Sequence, residues 1–402
     1  MKIGIIREEK NPPDSRVTLS PEQCKTLIKQ GWDIVVQPSD VRCFTDEDYN
    51  KAGVPLSEDM SDRSILIGVK EIPISSILSD KTYFFFSHTI KEQAYNQKLL
   101  KTIVDQNNTL IDYEVLTNEQ GARVIAFGKY AGMVGAHNGL WTYGKRTQSF
   151  DLPRMKDLYD YEAAKNVYRE VQFPNIKVAL TGTGRVAQGA ALVLDDMGFT
   201  KIRPIDYVLK SYDYPVYTQL NSFYYAERKD GKVFDDVNDF YQNPSAYASD
   251  FDHFLPMTDI MINGIYWDND APAFFTIDQM QQPDFGIKVI ADVTCDIAPV
   301  SSIPSTIKAS TIADPVFGFD PKTQSEVPPF ADDVVDMMTV DNLPNELPRD
   351  ASTAFGEMFM EYVIPEIKKE KSEMLTKATI AENGDLGSHF EYLRGYLESS
   401  FE

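Results

Sequence analysis

Cysteine is nearly missing from this chain. Cys24, Cys43 and Cys295 are the three present. They are odd in number and without ligand spacing, which argues against a disulfide framework and against a zinc site. Histidine is almost as scarce, with four residues, so proton transfer near neutral pH has few candidates. Long apolar runs are absent too. No window of about eighteen consecutive apolar residues occurs, and no membrane span is expected. Positive charge is in deficit: 39 Lys and Arg stand against 61 Asp and Glu, a formal net charge of −22. That balance disfavours nucleic acid and anionic membrane as partners. Any anionic substrate must therefore be held by a local cluster of cations. The start, Met1-Lys-Ile-Gly-Ile-Ile-Arg7, is charged too soon for a secretory signal and reads as a first strand. Together with the few cysteines, this points to the cytoplasm.

What is present suffices for about two domains, since 402 residues with 43% hydrophobic content can bury ample core. Strand-like and helix-like segments alternate at first. Lys2–Ile6, Asp33–Gln37, Ile65–Val69, Thr82–Phe86 and Thr109–Asp112 read as strands. Pro21–Gln30, Asp46–Ala52 and Lys91–Asp105 read as helices. Ser20-Pro21-Glu22-Gln23 is a helix start, with a serine cap and proline in the first turn. Ala126–Leu140, with four spaced glycines, reads as a helix that packs closely on a neighbour. Asp151–Arg169 reads as a polar connector. Further strands are expected at Lys177–Leu180, Lys201–Ile205, Asp259–Asn263, Lys288–Asp292 and Ser310–Ile312, with Tyr212–Asp252 as an elaborated crossover. Ala351–Lys369 is an amphipathic helix interrupted by Pro365. The pattern predicts an α/β protein of two Rossmann-like domains with an interdomain cleft, its terminal helix returning to the first domain. Residues 1–125 with about 345–402 would form the substrate-binding domain, and 126–344 the dinucleotide-binding domain.

The most informative stretch is Val178-Ala-Leu-Thr-Gly-Thr-Gly-Arg-Val-Ala-Gln-Gly-Ala190. Gly182 permits a tight turn, Gly184 lets the backbone approach a pyrophosphate, and Ala187 lets helix and strand pack closely. Alone, Gly-x-Gly-x-x-Ala also fits an ordinary glycine turn. The strand before it and the helix after it favour a nucleotide. Arg185 could touch an adenosine phosphate. Asp206, expected at the end of the next strand, stands where an acid commonly meets the ribose hydroxyls.

Chemistry is expected at strand carboxyl ends. Lys70 closes one apolar strand and His88 follows another, so neighbouring strands would bring them to one rim. Arg16, in the first strand–helix loop, suits bidentate carboxylate binding. Lys91 and Arg123 add cations. Asp292 and Asp296 flank Val293-Thr-Cys295 at another strand end, where either could face a nicotinamide ribose or the reacting centre.

Five spaced motifs join the fingerprint in one collinear set: Phe86-Ser-His-Thr-Ile-Lys-Glu-Gln93, Leu110-Ile-Asp-Tyr-Glu114, Val124-Ile-Ala-Phe-Gly128, Ile262-Asn-Gly-Ile-Tyr-Trp267 and Val340-Asp-Asn-Leu-Pro344. Over roughly residues 1–365 the chain resembles the lysine-forming saccharopine dehydrogenases. It is most like the lysine–2-oxoglutarate reductase half of the bifunctional aminoadipic semialdehyde synthases, within the alanine dehydrogenase and transhydrogenase fold group. The resemblance implies an NAD(H)- or NADP(H)-dependent, reversible condensation of L-lysine and 2-oxoglutarate to saccharopine. It implies Lys70 and His88 as the acid–base pair. Arg16, Lys91 and Arg123 would be the carboxylate-binding cations, Glu114 a modulating acid, and Asp296 an aspartate on the nicotinamide side. A homo-oligomer is possible in such a group. The loop Asn11-Pro-Pro-Asp-Ser15 and Arg185 depart from the family pattern.

Two other readings stay open. One is an alanine dehydrogenase-like amino-acid dehydrogenase with a smaller pocket. The other is a nucleotide-binding protein of the same fold without turnover. The choice between NAD and NADP is open as well.

Overall fold

The computed structural model describes residues 1–399. The chain divides into two compact units. One is Met1–Phe127 joined by the chain from Pro348 onward, and the other is Gly128–Leu347.

The first unit is built on β1 (Lys2–Ile5), β2 (Asp33–Val36), β3 (Ile65–Lys70), β4 (Thr82–Phe86) and β5 (Thr109–Asp112). They run parallel in the order β2-β1-β3-β4-β5. Strands covered on both faces read as near-continuous apolar runs, and every residue from Ile65 to Val69 is buried. Two antiparallel strands, Thr379–Glu382 and Asp385–Leu386, extend the edge beside β5. Helix α1 (Pro21–Lys29) starts with a reciprocal Ser20/Gln23 capping box. Helix α2 (Asp46–Ala52) is capped by Thr45 and Asp48. Helix α3 (Ala94–Asp105) begins later than the expected Lys91. Thr89–Lys91 forms a single 3-10 turn, and Glu92 at φ 52° breaks the path. The terminal helix, Pro348–Met358, passes through a π turn at Phe359–Val363 into Ile364–Ile367. Pro365 has no N–H to donate and its ring crowds the preceding turn, so the helix widens just before it. Phe355 and Phe359 meet the Tyr113 ring edge-on, at 5.0 and 6.3 Å between centroids, inside the first unit's core.

The second unit opens with α4 (Gly128–Thr147) and α5 (Tyr161–Glu170). Its strands are β6 (Lys177–Thr181), β7 (Thr200–Lys201), β8 (Val216–Leu220), a separate hairpin β9 (Ala226–Arg228) and β10 (Tyr247–Ser249), then β11 (Ile260–Asn263), β12 (Val289–Asp292), β13 (Val316–Asp320), β14 (Ser325–Val327) and β15 (Val335–Met338). The main sheet runs β14-β13-β15-β12-β11-β6-β8-β7, with β13 and β14 antiparallel at one edge. Helix α6 (Arg185–Asp196) follows β6. The spaced glycines of α4 let it press on α6. A Cβ on Gly132 would fall 1.8 Å from the Val186 carbonyl, and one on Gly189 1.9 Å from that of Lys129.

Several expectations need correction here. The strand expected over Lys201–Ile205 stops at Lys201, because Pro204 occupies the first turn of helix α7 (Pro204–Leu209). Asp206 therefore sits inside a helix and not at a strand end. The strand next to β6 is β8, which lies inside the segment taken for a crossover. Ser310–Ile312 forms only an isolated bridge from Ser310 to Val340. Asp151–Arg169 is no mere connector, since α5 buries Tyr161, Ala164 and Tyr168.

Candidate active site

The carboxyl ends of β1, β3, β4 and β5 share one rim of the first sheet, and the loops leaving them carry the charges. Lys70 is the last residue of β3, level with Phe86 across a register shift. Glu8, in the loop after β1, clamps that end: its carboxylate accepts from the Val69 N–H at 2.6 Å and the Lys70 N–H at 2.9 Å. Burial pushes the Glu8 carboxyl up to about 8, although those two N–H groups pull it down. The Lys70 ammonium is pushed below the ordinary lysine range, first by burial and then by the charges of Arg16 and Lys10.

His88 stands two residues past β4 in the left-handed region, at φ 55°. The loop is pinned from below. Buried Asp112, at the end of β5, accepts from the Ser87 N–H at 2.9 Å, the Ser87 hydroxyl, and the Glu114 N–H at 2.7 Å. One carboxylate thus places both His88 and Glu114. His88 Nδ1 lies 3.4 Å from Glu71 Oε2, an ion-pair distance, and Lys10 Nζ lies 2.7 Å from Glu71 Oε1. Burial works against the Glu71 charge, but the His88 ring and the Lys10 ammonium outweigh it and hold that carboxyl at about 2.

Arg16 is placed differently from its expected use. It is buried, and its Nε and Nη2 meet the two oxygens of Asp14 at 2.9 and 2.5 Å. Its guanidinium lies 4.4 Å from the Phe127 ring centroid. In this arrangement the fork serves Asp14, and Arg16 acts on Lys70 through its charge. Lys91 and Arg123 converge on Glu114 Oε1, at 3.7 and 3.4 Å. Both cations are roughly half exposed, with 51% and 40% of the side chain accessible. All six residues expected at this rim lie at or beyond its strand ends, in two groups: Lys70, His88 and Arg16 with Glu71 and Asp14, and Lys91 and Arg123 on Glu114. Sequence reading overlooked Glu8, Lys10, Asp14 and the role of Glu71. The available signal was their placement: each lies one to nine residues beyond a strand end.

The other half of the expected chemistry belongs to the second unit, where β6 turns into α6. Gly182 has φ 97°, and a Cβ there would meet the Gly264 carbonyl at 2.6 Å. A Cβ on Gly184 would meet nothing within 4 Å. Ala187 is fully buried between helix and strand. Backbone N–H groups at the start of a helix, with open space above the second glycine, fit a dinucleotide pyrophosphate.

Residues 4–134 match the family described as alanine dehydrogenase/PNT, N-terminal domain. The mitochondrial alpha-aminoadipic semialdehyde synthase of Mus musculus is 30% identical over 446 residues, covering 99% of this chain and 48% of that protein. The saccharopine dehydrogenase [NAD(+), L-lysine-forming] of Emericella nidulans is 25% identical, covering 93% of this chain and 94% of that enzyme. This chain is a homologue of both. It spans about half the length of the synthases it matches. Among solved structures, an L-alanine dehydrogenase aligns over 98% of each chain with a TM-score of 0.66 and 18% identity, a likeness of fold.

Arg185 is the first residue of α6 and is exposed. Asp296 is half-buried in the loop after β12. Its neighbour Asp292 is fully buried, accepting from Asn263 at 2.9 Å, Thr294 at 2.7 Å and Thr306 at 2.6 Å. That network holds strand ends together and leaves Asp292 no outward face. Asp206 is paired with Arg203 at 2.7 Å and Lys210 at 2.9 Å. His137, another of the few histidines, is a satisfied core residue: Tyr168 Oη and the Pro153 carbonyl lie 2.7 and 2.8 Å from its two ring nitrogens. No helix among the described residues is long and apolar enough to cross a membrane.

Proposed function

We propose that this chain is a nicotinamide-dependent oxidoreductase acting on a CH–NH bond, and that it joins L-lysine and 2-oxoglutarate into saccharopine reversibly. The observation that carries this reading is the cluster on the first unit's rim. A lysine of lowered basicity and a carboxylate-backed histidine sit among several cations, in a protein whose overall charge repels anions. Saccharopine bears three carboxylates, and such a substrate needs local positive charge of this kind.

In this reading the Lys70 Nζ, less basic than an ordinary lysine, accepts the proton released when the substrate ε-amine attacks the oxo carbon. Glu71 beside Nδ1 favours the His88 tautomer with its proton there and opposes any rotation of the ring. Nε2 is then the open position: it takes up a proton from solvent, and the imidazolium so formed gives that proton to the departing hydroxyl as the carbinolamine dehydrates. Glu8 holds the backbone under Lys70, so Nζ is aimed by two hydrogen bonds rather than by a free loop. Lys91 and Arg123 hold substrate carboxylates, and Glu114 sets how far each reaches. NAD(H) or NADP(H), when bound, would supply or take the hydride. The turn Gly182–Ala187 would hold its pyrophosphate, and Asp296 would lie toward its nicotinamide side. The cysteines are free, in keeping with a reducing compartment such as the cytoplasm.

The test is consumption of reduced cofactor with lysine plus 2-oxoglutarate, set against ammonia plus pyruvate. Turnover confined to the first pair is expected. Turnover with ammonia and pyruvate only would make the chain an amino-acid dehydrogenase of the alanine type. No turnover with either would leave a nucleotide-binding protein.

A further inference from the structure

In a dinucleotide-binding sheet, the residue just past the second strand meets the 2′ position of the adenosine ribose. An acid there accepts from the 2′-hydroxyl of NAD and repels the 2′-phosphate of NADP. Chain order suggests Asp206 for this place, but strand pairing does not. The strand beside β6 is β8, in register from Lys177↔Val216 to Thr181↔Leu220. The end of β8 is fastened to the glycine turn. The Gly182 N–H donates to the Leu220 carbonyl at 2.8 Å, and Gln219 Nε2 donates to the Gly182 carbonyl at 3.0 Å. β7 lies one strand further out, and its last residue, Lys201, is level with Tyr217. That is three residues short of the end of β8. Asp206 follows in α7, with both carboxylate oxygens taken by Arg203 and Lys210.

The residue just past β8 is Asn221. Its Oδ1 accepts from the Phe223 N–H at 3.1 Å, which turns the amide nitrogen away from the backbone. From Leu220 to Ala226 the chain reads Leu-Asn-Ser-Phe-Tyr-Tyr-Ala, without an acid. Two cations belong to flanking elements: Arg185 opens α6, and Lys201 donates to Gln219 Oε1 at 2.6 Å on β8. The neighbourhood of the turn is locally neutral to positive in a strongly acidic protein.

We infer that Asn221 is the residue that reads the cofactor's 2′ position, and that this chain binds NADPH at least as tightly as NADH. The inference rests on the dinucleotide reading of the Gly182–Ala187 turn. An amide nitrogen donates to a phosphate oxygen or to a hydroxyl oxygen, whereas a carboxylate rejects the phosphate.

The test is a fluorescence titration of the full chain with NADPH and with NADH, free of other substrates. It compares wild type, Asn221→Asp and Asp206→Ser. Wild type should bind NADPH as tightly as NADH or more so. Asn221→Asp should weaken NADPH by about tenfold or more, roughly 1.4 kcal/mol, and leave NADH nearly unchanged. Asp206→Ser should leave the ratio as in wild type. The inference is overturned if Asn221→Asp changes both dinucleotides equally or neither, or if Asp206→Ser alone moves the ratio. Wild type that binds NADH much the tighter also overturns it. Wild type that binds neither dinucleotide removes the turn assignment itself, a distinct result.

Discussion

Two parallel sheets in one chain put opposite materials at their carboxyl ends. In the first unit the strand ends carry charge: Lys70, Glu71 and His88, with Glu8, Asp14 and Arg16 in the loop from β1. In the second unit the ends of β6 and β11 carry glycine, and the polar side chains there are turned inward. Thr181 donates to Asn263 at 2.8 Å, and Asn263 donates to Asp292. In the proposed reading, one rim presents side chains that hold and move protons. The other presents bare backbone N–H groups. The same architecture therefore separates two tasks: titratable groups need neighbours that tune them, whereas a pyrophosphate needs neighbours that stay out of its way.

The comparison is tested most severely at Lys70. Lys70→Met should lower turnover by about 10²- to 10⁴-fold, the usual worth of a positioned acid or base, while cofactor affinity stays as in wild type. Equal losses in a binding titration and in kcat would mean that the two rims are not separate in function. Next comes the glycine turn. Gly184→Val should weaken both dinucleotides by about a hundredfold with an unchanged thermal midpoint, because no protein atom lies within 4 Å of the new Cβ. Gly182→Val is the contrasting variant. Its φ of 97° and the Gly264 carbonyl 2.6 Å away should cost about 1–3 kcal/mol of stability. Calorimetry beside the titration separates them, and equal destabilisation by both would erase the distinction.

A smaller effect is expected at Arg123, which is partly exposed and shares Glu114 with Lys91. Arg123→Ala should raise the KM for 2-oxoglutarate by about tenfold, and that for pyruvate much less, since pyruvate has no second carboxylate to leave unpaired. Parallel saturation curves check this, and equal weakening would assign Arg123 to the shared carboxylate or to the fold. The smallest effect concerns tuning. Lys10→Ala removes one cation that lowers Lys70 and releases the charge of Glu71, which raises it. Both changes act in the same sense, so the pKa of Lys70 rises and the base form is lost at a given pH. The ascending limb of kcat/KM should move to higher pH, by only about 0.3–1 unit, because burial, the largest cause, is untouched. A shift to lower pH would show that Lys70 is not the group observed.

The first sheet was legible almost residue by residue. Its strands are short apolar runs, and Ser20-Pro21 and Thr45 announce their helices by caps, which are local signals. Lys70 and His88 could be paired in advance because β3 and β4 are consecutive and adjacent. The second sheet was harder to read. Val216–Leu220 carries Thr218 and Gln219 in its middle and hid inside a polar segment, while Arg203-Pro-Ile205 looked like a strand and turned into a helix. The strand β15, paired on both sides, keeps Asp336 buried against Arg146 at 3.0 Å, and no periodicity reveals such a pair.

Sequence by itself determined the α/β alternation, the glycine turn of the second unit and the positions of Lys70 and His88 past their strands. Each depends on neighbours a few residues away. Tertiary structure alone decided that β8 and not β7 lies beside β6, that Asn221 and not Asp206 follows that strand, and that the fork of Arg16 closes on Asp14. Strand order is set by hydrogen bonds between segments far apart in the chain, and an ion pair by which loops those strands bring to one rim.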